Sequence, residues 1–273
     1  VIAAMSIEQM GAVLIAFEGL SILSLLIQKK RIPAVIWIQT AITFVAFVIL
    51  FMAPGNEMRV ASEITTWMPG YKELSVGNHL FMTIQWMLSS FANEGKAFFI
   101  AIWAAGFLLL VKSKKAKVYQ SLAVVFSVVA LLPYAGISFF SEMGIGYIDI
   151  EQCLTELPTW QTMTTQNRIA FFWWIAAVLF TLVLLWKVTG HSVFISMVFL
   201  GGIASEAVLY FSPTIYASGA RVYYLTDLMY LFIILWIVMH MDSEKKKNLF
   251  IAGVVVLGVA NFLSQYSIML LKL

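Results

Sequence analysis

Cysteine is almost absent from these 273 residues. Cys153 stands alone, so no internal disulfide can form and no cysteine-based metal centre can be built. Charge is scarce as well: 11% of the residues are Asp, Glu, Lys or Arg, while 62% are hydrophobic. That balance excludes a soluble globular domain, whose charged share is about 25%. The three histidines, His79, His191 and His240, lie too far apart to form a paired metal-ligand motif. No Walker sequence or glycine-rich nucleotide loop occurs, which argues against an ATP-driven mechanism in this chain, and no nucleic-acid partner is expected. Strand-length alternation is missing too, which argues against a β-barrel. The chain starts at Val1 without a basic segment or a small-residue cleavage pattern before its first apolar run. The expectation is therefore the C-terminal part of a longer protein.

What the sequence does have is a series of apolar runs of membrane-spanning length, about 17 to 25 residues, separated by short polar segments. Spans are expected at 2–27, 34–52, 96–111, 118–140, 169–186, 192–211, 222–240 and 249–271. The predicted fold is thus all-α, a single polytopic transmembrane bundle over residues 1–273 with about eight spans. Basic clusters fix its orientation by the positive-inside rule. Lys29, Lys30 and Arg31, then Lys112, Lys114, Lys115 and Lys117, then Lys187, then Lys245, Lys246 and Lys247 all fall on one side, which is assigned to the cytoplasm. The loop with Glu142, Asp149, Glu151 and Glu156 falls on the other. In the first outer segment, Leu80, Phe81, Ile84, Met87, Leu88 and Phe91 recur at helical spacing, predicting a helix over 78–91 that lies in the interface.

The first outer turn, Ala53-Pro54-Gly55-Asn56-Glu57-Met58-Arg59, organises the candidate chemistry. Pro54 cannot continue the preceding helix and Gly55 can adopt positive φ, so a sharp turn is expected here, with Arg59 at phosphate depth. A second outer turn, Ser212-Pro213-Thr214, leads to Arg221. Ionisable side chains inside spans are costly and mark candidate sites. Glu8 and Glu206 lie near the outer ends of their spans; Glu18 is deeper, where a hydrogen-bonded structural role is the alternative. Topology brings Glu8, Asn56, Arg59, Glu206 and Arg221 toward one surface. The carboxylates suit a general base or cation ligand. The guanidinium groups suit phosphate, to which they offer a planar fork of donors, or simple anchoring at lipid phosphate. Asp227 suits a salt bridge, and Trp160 could stack on a sugar. His79 reads as a structural histidine or a proton carrier.

With Ser6-Ile7-Glu8-Gln9 upstream and Ser212-Pro213 to Arg221 downstream, the Ala53–Arg59 motif resembles a family of bacterial polytopic proteins similar to the GT-C class of glycosyltransferases. The resemblance implies a multi-span enzyme of the bacterial plasma membrane. Such an enzyme moves a sugar from a polyprenyl-phosphate donor to a cell-surface glycan or lipid acceptor at the extracytoplasmic face. For that reaction the residues offer Glu206 or Glu8 as base, unless the base lies in a missing N-terminal region, with Arg59 and Arg221 on the leaving phosphate and Asn56 orienting the sugar or the turn. The catalytic carboxylate of that class usually lies in the first outer loop of the complete protein, which has no counterpart here. No cofactor is required, although a divalent cation shared with a carboxylate is compatible with the scheme. The alternative function is a lipid-linked glycan flippase, transporter or non-catalytic membrane subunit, in which the same groups line a path.

Overall fold

The computed structural model describes residues 8–113, 116–132, 159–190, 192–216 and 222–271. The acidic loop with Cys153, the end of the fourth expected span, Lys114, Lys115, His191 and Arg221 lie outside the described residues. Within them the chain is all-helical, with no strand. The helices are α1 (Glu8–Ile27), α2 (Ala34–Met52), α3 (Pro54–Trp67), α4 (Val76–Asn93) and α5 (Lys96–Leu110). They continue with α6 (Lys117–Leu131), α7 (Thr165–Val188), α8 (Val193–Ala207), α9 (Tyr224–Met239) and α10 (Glu244–Leu271). Short 3-10 turns occupy Tyr71–Glu73 and Val208–Phe211.

Each expected span overlaps one of these helices. By length and composition three can cross a membrane, Met10–Ile27, Asn167–Val188 and Val193–Phe211. α4 and α5 qualify only as a pair, bent by 68° at the break between them, and α2, α6 and α9 are apolar but shorter. Length and apolarity thus carry three or four spans, and the expected eight rests on the sequence pattern alone.

Local chemistry explains where the helices start and stop. α1 ends with Lys29 at φ 53°, and the Lys30 N–H reaches back to the Leu25 carbonyl at 2.9 Å. This left-handed cap is the usual way to satisfy terminal carbonyls. α7 begins at Thr164, whose Oγ1 accepts from the Asn167 N–H at 3.2 Å, and Gly190 at φ 64° follows its end. The expected Pro54-Gly55 turn is corrected. Ala53 alone is extended (φ −61°, ψ 128°), Pro54 opens α3, and positive φ is not found at Gly55. Proline is favoured in the first helical turn because its missing N–H would have had no partner there.

The described chain falls into two compact units, each drawn from three stretches of sequence. Of the described residues, unit one takes those within 1–87, 148–163 and 193–230, and unit two those within 88–147, 164–192 and 231–273. In unit one, α1 packs against α8, α2 and the 208–211 turn. α8 is the enclosed element, burying Ile195, Met197, Val198 and Phe199 among others. α2 is peripheral, with Val35, Trp37, Ile38, Ile42, Phe44, Val45 and Ile49 exposed, as expected of a face toward hydrocarbon.

In unit two, α5 is central and packs on α6, α7 and α10. Trp103 is fully buried there and donates from Nε1 to Thr181 Oγ1 at 2.8 Å. Its ring joins Phe99, Phe126 and Trp173 at centroid distances of 5.4–6.3 Å. The helix expected over 78–91 lies within α4, but Thr83, Gln85, Ser89 and Ser90 are buried along with Met82, Trp86 and Phe91. It is enclosed on its polar side too, unlike a helix resting in the interface.

Candidate functional site

α8 carries the small residues Gly201, Gly202 and Ser205 on its way to Glu206. Small side chains at this spacing let neighbouring helices approach closely. Phe17 of α1 lies against Gly201, where an added Cβ would meet its ring at 2.6 Å. Tyr230 of α9 lies against Gly202, at 2.9 Å from such a Cβ, and stacks on Phe199 at 5.4 Å. Ser205 Oγ and Thr226 Oγ1 are 2.7 Å apart, and both reach the Gly202 carbonyl, at 2.8 and 3.1 Å. Glu206 is 1% exposed, and its carboxyl, with that of Asp227, acts electrostatically on the buried Tyr230 hydroxyl. α8 and α9 therefore enclose a cluster of Ser205, Glu206, Thr226 and Tyr230.

One turn beyond Glu206, the chain enters an aromatic cluster built from segments distant in sequence. Met68, Met82, Trp86, Leu209, Ile215, Tyr216 and Val222 form its core, with Tyr71 and Tyr223 packed against it. Tyr71 donates its hydroxyl to the Tyr210 carbonyl at 3.3 Å. The His79 ring sits 4.6 Å from Tyr71 and 5.5 Å from Tyr210, and Trp86 stacks on Tyr223 at 5.3 Å. Burial, with Tyr210 beside it, pushes the Tyr71 hydroxyl up from 10.0 to about 12. Tyr71 therefore stays a neutral donor at ordinary pH.

A second buried carboxyl lies on α1. Glu18 is 6% exposed and accepts from Thr43 Oγ1 of α2 at 2.8 Å, while its Oε2 has no hydrogen-bond partner. This is the hydrogen-bonded role weighed for Glu18, with half of the carboxyl left over.

The five candidates fare differently. Glu206 joins the enclosed cluster. Arg59 projects from α3 with 52% of its side chain exposed, 3.8 Å from Glu63 one turn on. Glu8 and Asn56 open the first turns of α1 and α3 as backbone positions; their side chains, like Arg221, lie outside the description. Among the described residues no three His, Cys, Asp or Glu side chains group as metal ligands. Trp160 is partly exposed and meets Phe81 edge-on at 6.4 Å. His240 stacks on Trp236.

No protein-family model matches this chain, and no curated protein or solved structure is similar to it.

Sequence reasoning missed Ser205, Thr226 and Tyr230. The available signals were the Gly201, Gly202 and Ser205 spacing on α8 and the one-turn spacing of Thr226 and Tyr230 on α9. Thr43 was missed as the partner of Glu18, since a threonine in an apolar run is common and can satisfy itself on its own helix.

Proposed function

We propose that the chain is a membrane glycosyltransferase of the GT-C type, acting at the extracytoplasmic face of a bacterial plasma membrane. It would move a sugar from a polyprenyl-phosphate donor to a glycan or lipid acceptor. The observation that supports this most is a buried carboxylate, Glu206, three residues from Leu209 of an aromatic cluster that holds Tyr71, Trp86, Tyr216 and Tyr223. Aromatic rings give the apolar faces of a sugar a stacking surface, and tyrosine hydroxyls give its oxygens partners.

The chemistry is an inverting displacement at the anomeric carbon. Glu206 or Glu8 takes the proton of the acceptor hydroxyl as its oxygen bonds to that carbon. The bond to the donor phosphate breaks, and its electron pair leaves on an oxygen held by Arg59 and Arg221. Asn56 orients the sugar or the start of α3. The test is turnover of undecaprenyl-phosphate sugars by purified protein in nanodiscs. Glu206→Gln should lower turnover more than binding, and Arg59→Ala should weaken donor binding. Unchanged activity in both variants would remove this site.

A lipid-linked glycan flippase is the second reading, and two observations favour it. Glu18 is a buried carboxyl half-way along α1, and α4 and α5 form a bent pair. Carboxylates deep in spans and broken helices are features of transport paths. Movement of a labelled lipid-linked sugar across a vesicle membrane, without formation of a glycosidic bond, would select it.

A further inference from the structure

One end of unit two gathers basic side chains from three segments. Gln120, in the first turn of α6, donates to the carbonyls of Leu110 at 2.6 Å and Ser113 at 3.0 Å, which ties the start of α6 to the end of α5. Lys112 reaches one oxygen of Asp242 at 2.9 Å, and Lys246 of α10 reaches the other at 2.9 Å. Lys247 pairs with Glu244 at 2.8 Å. Both carboxylates of this end are thus occupied, and Lys117 and Lys245 are left exposed with no ion pair among the described residues.

Directly beyond these lysines the helix surfaces turn apolar. Val118, Leu122 and Val125 of α6 are exposed, as are Leu249, Ile251 and Val255 of α10. A cationic rim continuous with exposed hydrocarbon is complementary to a molecule with an anionic head and apolar tails. A free phosphate ion would match the rim alone.

We propose that this end of unit two binds the headgroup of an anionic phospholipid, with Lys117 and Lys245 on the phosphate and the acyl chains along α6 and α10. Ammonium groups donate strongly to phosphate oxygens, and the lysines have apolar stems that lie along the lipid. The Lys112–Asp242–Lys246 bridge ties the segment after α5 to the start of α10, and the Gln120 bonds tie the start of α6 to the same end of α5.

The experiment is native mass spectrometry of the full chain released from micelles containing phosphatidylglycerol or phosphatidylcholine. Phosphatidylglycerol should be retained in preference. Lys117→Gln with Lys245→Gln should weaken that retention about 30-fold, since each lysine near an anionic surface contributes roughly fivefold. Lys29→Gln with Lys30→Gln removes the same charge from unit one and should change it less than about twofold. Lys117→Arg with Lys245→Arg should keep it, which separates lost binding from lost folding. Equal retention of the two lipids, equal loss in both glutamine pairs, or displacement by excess inorganic phosphate would overturn the proposal.

Discussion

Replacing Thr43 by Val removes the one donor among the described residues that reaches the Glu18 carboxyl, and among them leaves both of its oxygens without a partner. Two effects compete in magnitude. The interhelical hydrogen bond itself is worth about 0.6 kcal/mol on average in membrane proteins, with a maximum of about 1.7. Leaving a buried acceptor unsatisfied costs about 1–3 kcal/mol. The second dominates, so Thr43→Val should destabilise by about 1–3 kcal/mol. Glu18→Met removes the carboxyl, including the oxygen that already lacks a partner, and Thr43 can then bond back to a carbonyl of its own helix. That variant should be neutral or more stable by about 1 kcal/mol. Thr43→Val added to Glu18→Met should cost less than about 0.5 kcal/mol, giving a coupling of about 0.5–3 kcal/mol. Reversible unfolding in mixed micelles, followed by the fluorescence of the nine tryptophans, measures all three. The reasoning fails if Thr43→Val costs the same in both backgrounds.

Three further outcomes are expected. Gly201→Ala drives a methyl to 2.6 Å from the Phe17 ring and should destabilise by about 1–3 kcal/mol, with Phe17→Leu recovering most of the loss in the same unfolding assay. Thr181→Val leaves the buried Trp103 indole N–H without an acceptor and should cost about 1–3 kcal/mol, whereas Thr181→Ser keeps it; equal loss in both would refute the hydrogen bond. Hydrogen bonds from Lys246 and Lys112 hold Asp242 down at about 2, from 3.8. Its contribution is therefore full above the ordinary value and lost as pH falls from about 4 to about 2, and Asp242→Asn should flatten the stability profile across that window.

Helix positions were legible because apolar runs bounded by lysines and prolines leave few other solutions. What lay on which side of each helix was less so. Pro54-Gly55 reads equally as a turn or as the first turn of a helix, and only the conformation of Ala53 decides between them. In α4 the polar residues Gln85 and Ser89 are buried, so the apolar stripe that normally marks the inward face misleads. The Arg59–Glu63 pair needed only one-turn spacing, yet its significance depends on α3 facing outward. Glu206 could be placed near a helix end from sequence, but the packing of Tyr230 against Gly202 one turn before it could not, because nothing local says which later helix will cover α8.

The interleaving of the two units also sets a timetable for synthesis. Of the described helices α1 and α2 emerge before the others, and Glu18 meets Thr43 only 25 residues later in the chain, so that carboxyl gains its partner as soon as the two helices pair. α8, the main partner of α1, emerges only after every stretch of unit two except the last. Until then Phe17 of α1 lacks the Gly201 surface of α8 against which it packs. A truncation just before Val193 would trap that stage and display it to any insertase or protease waiting nearby.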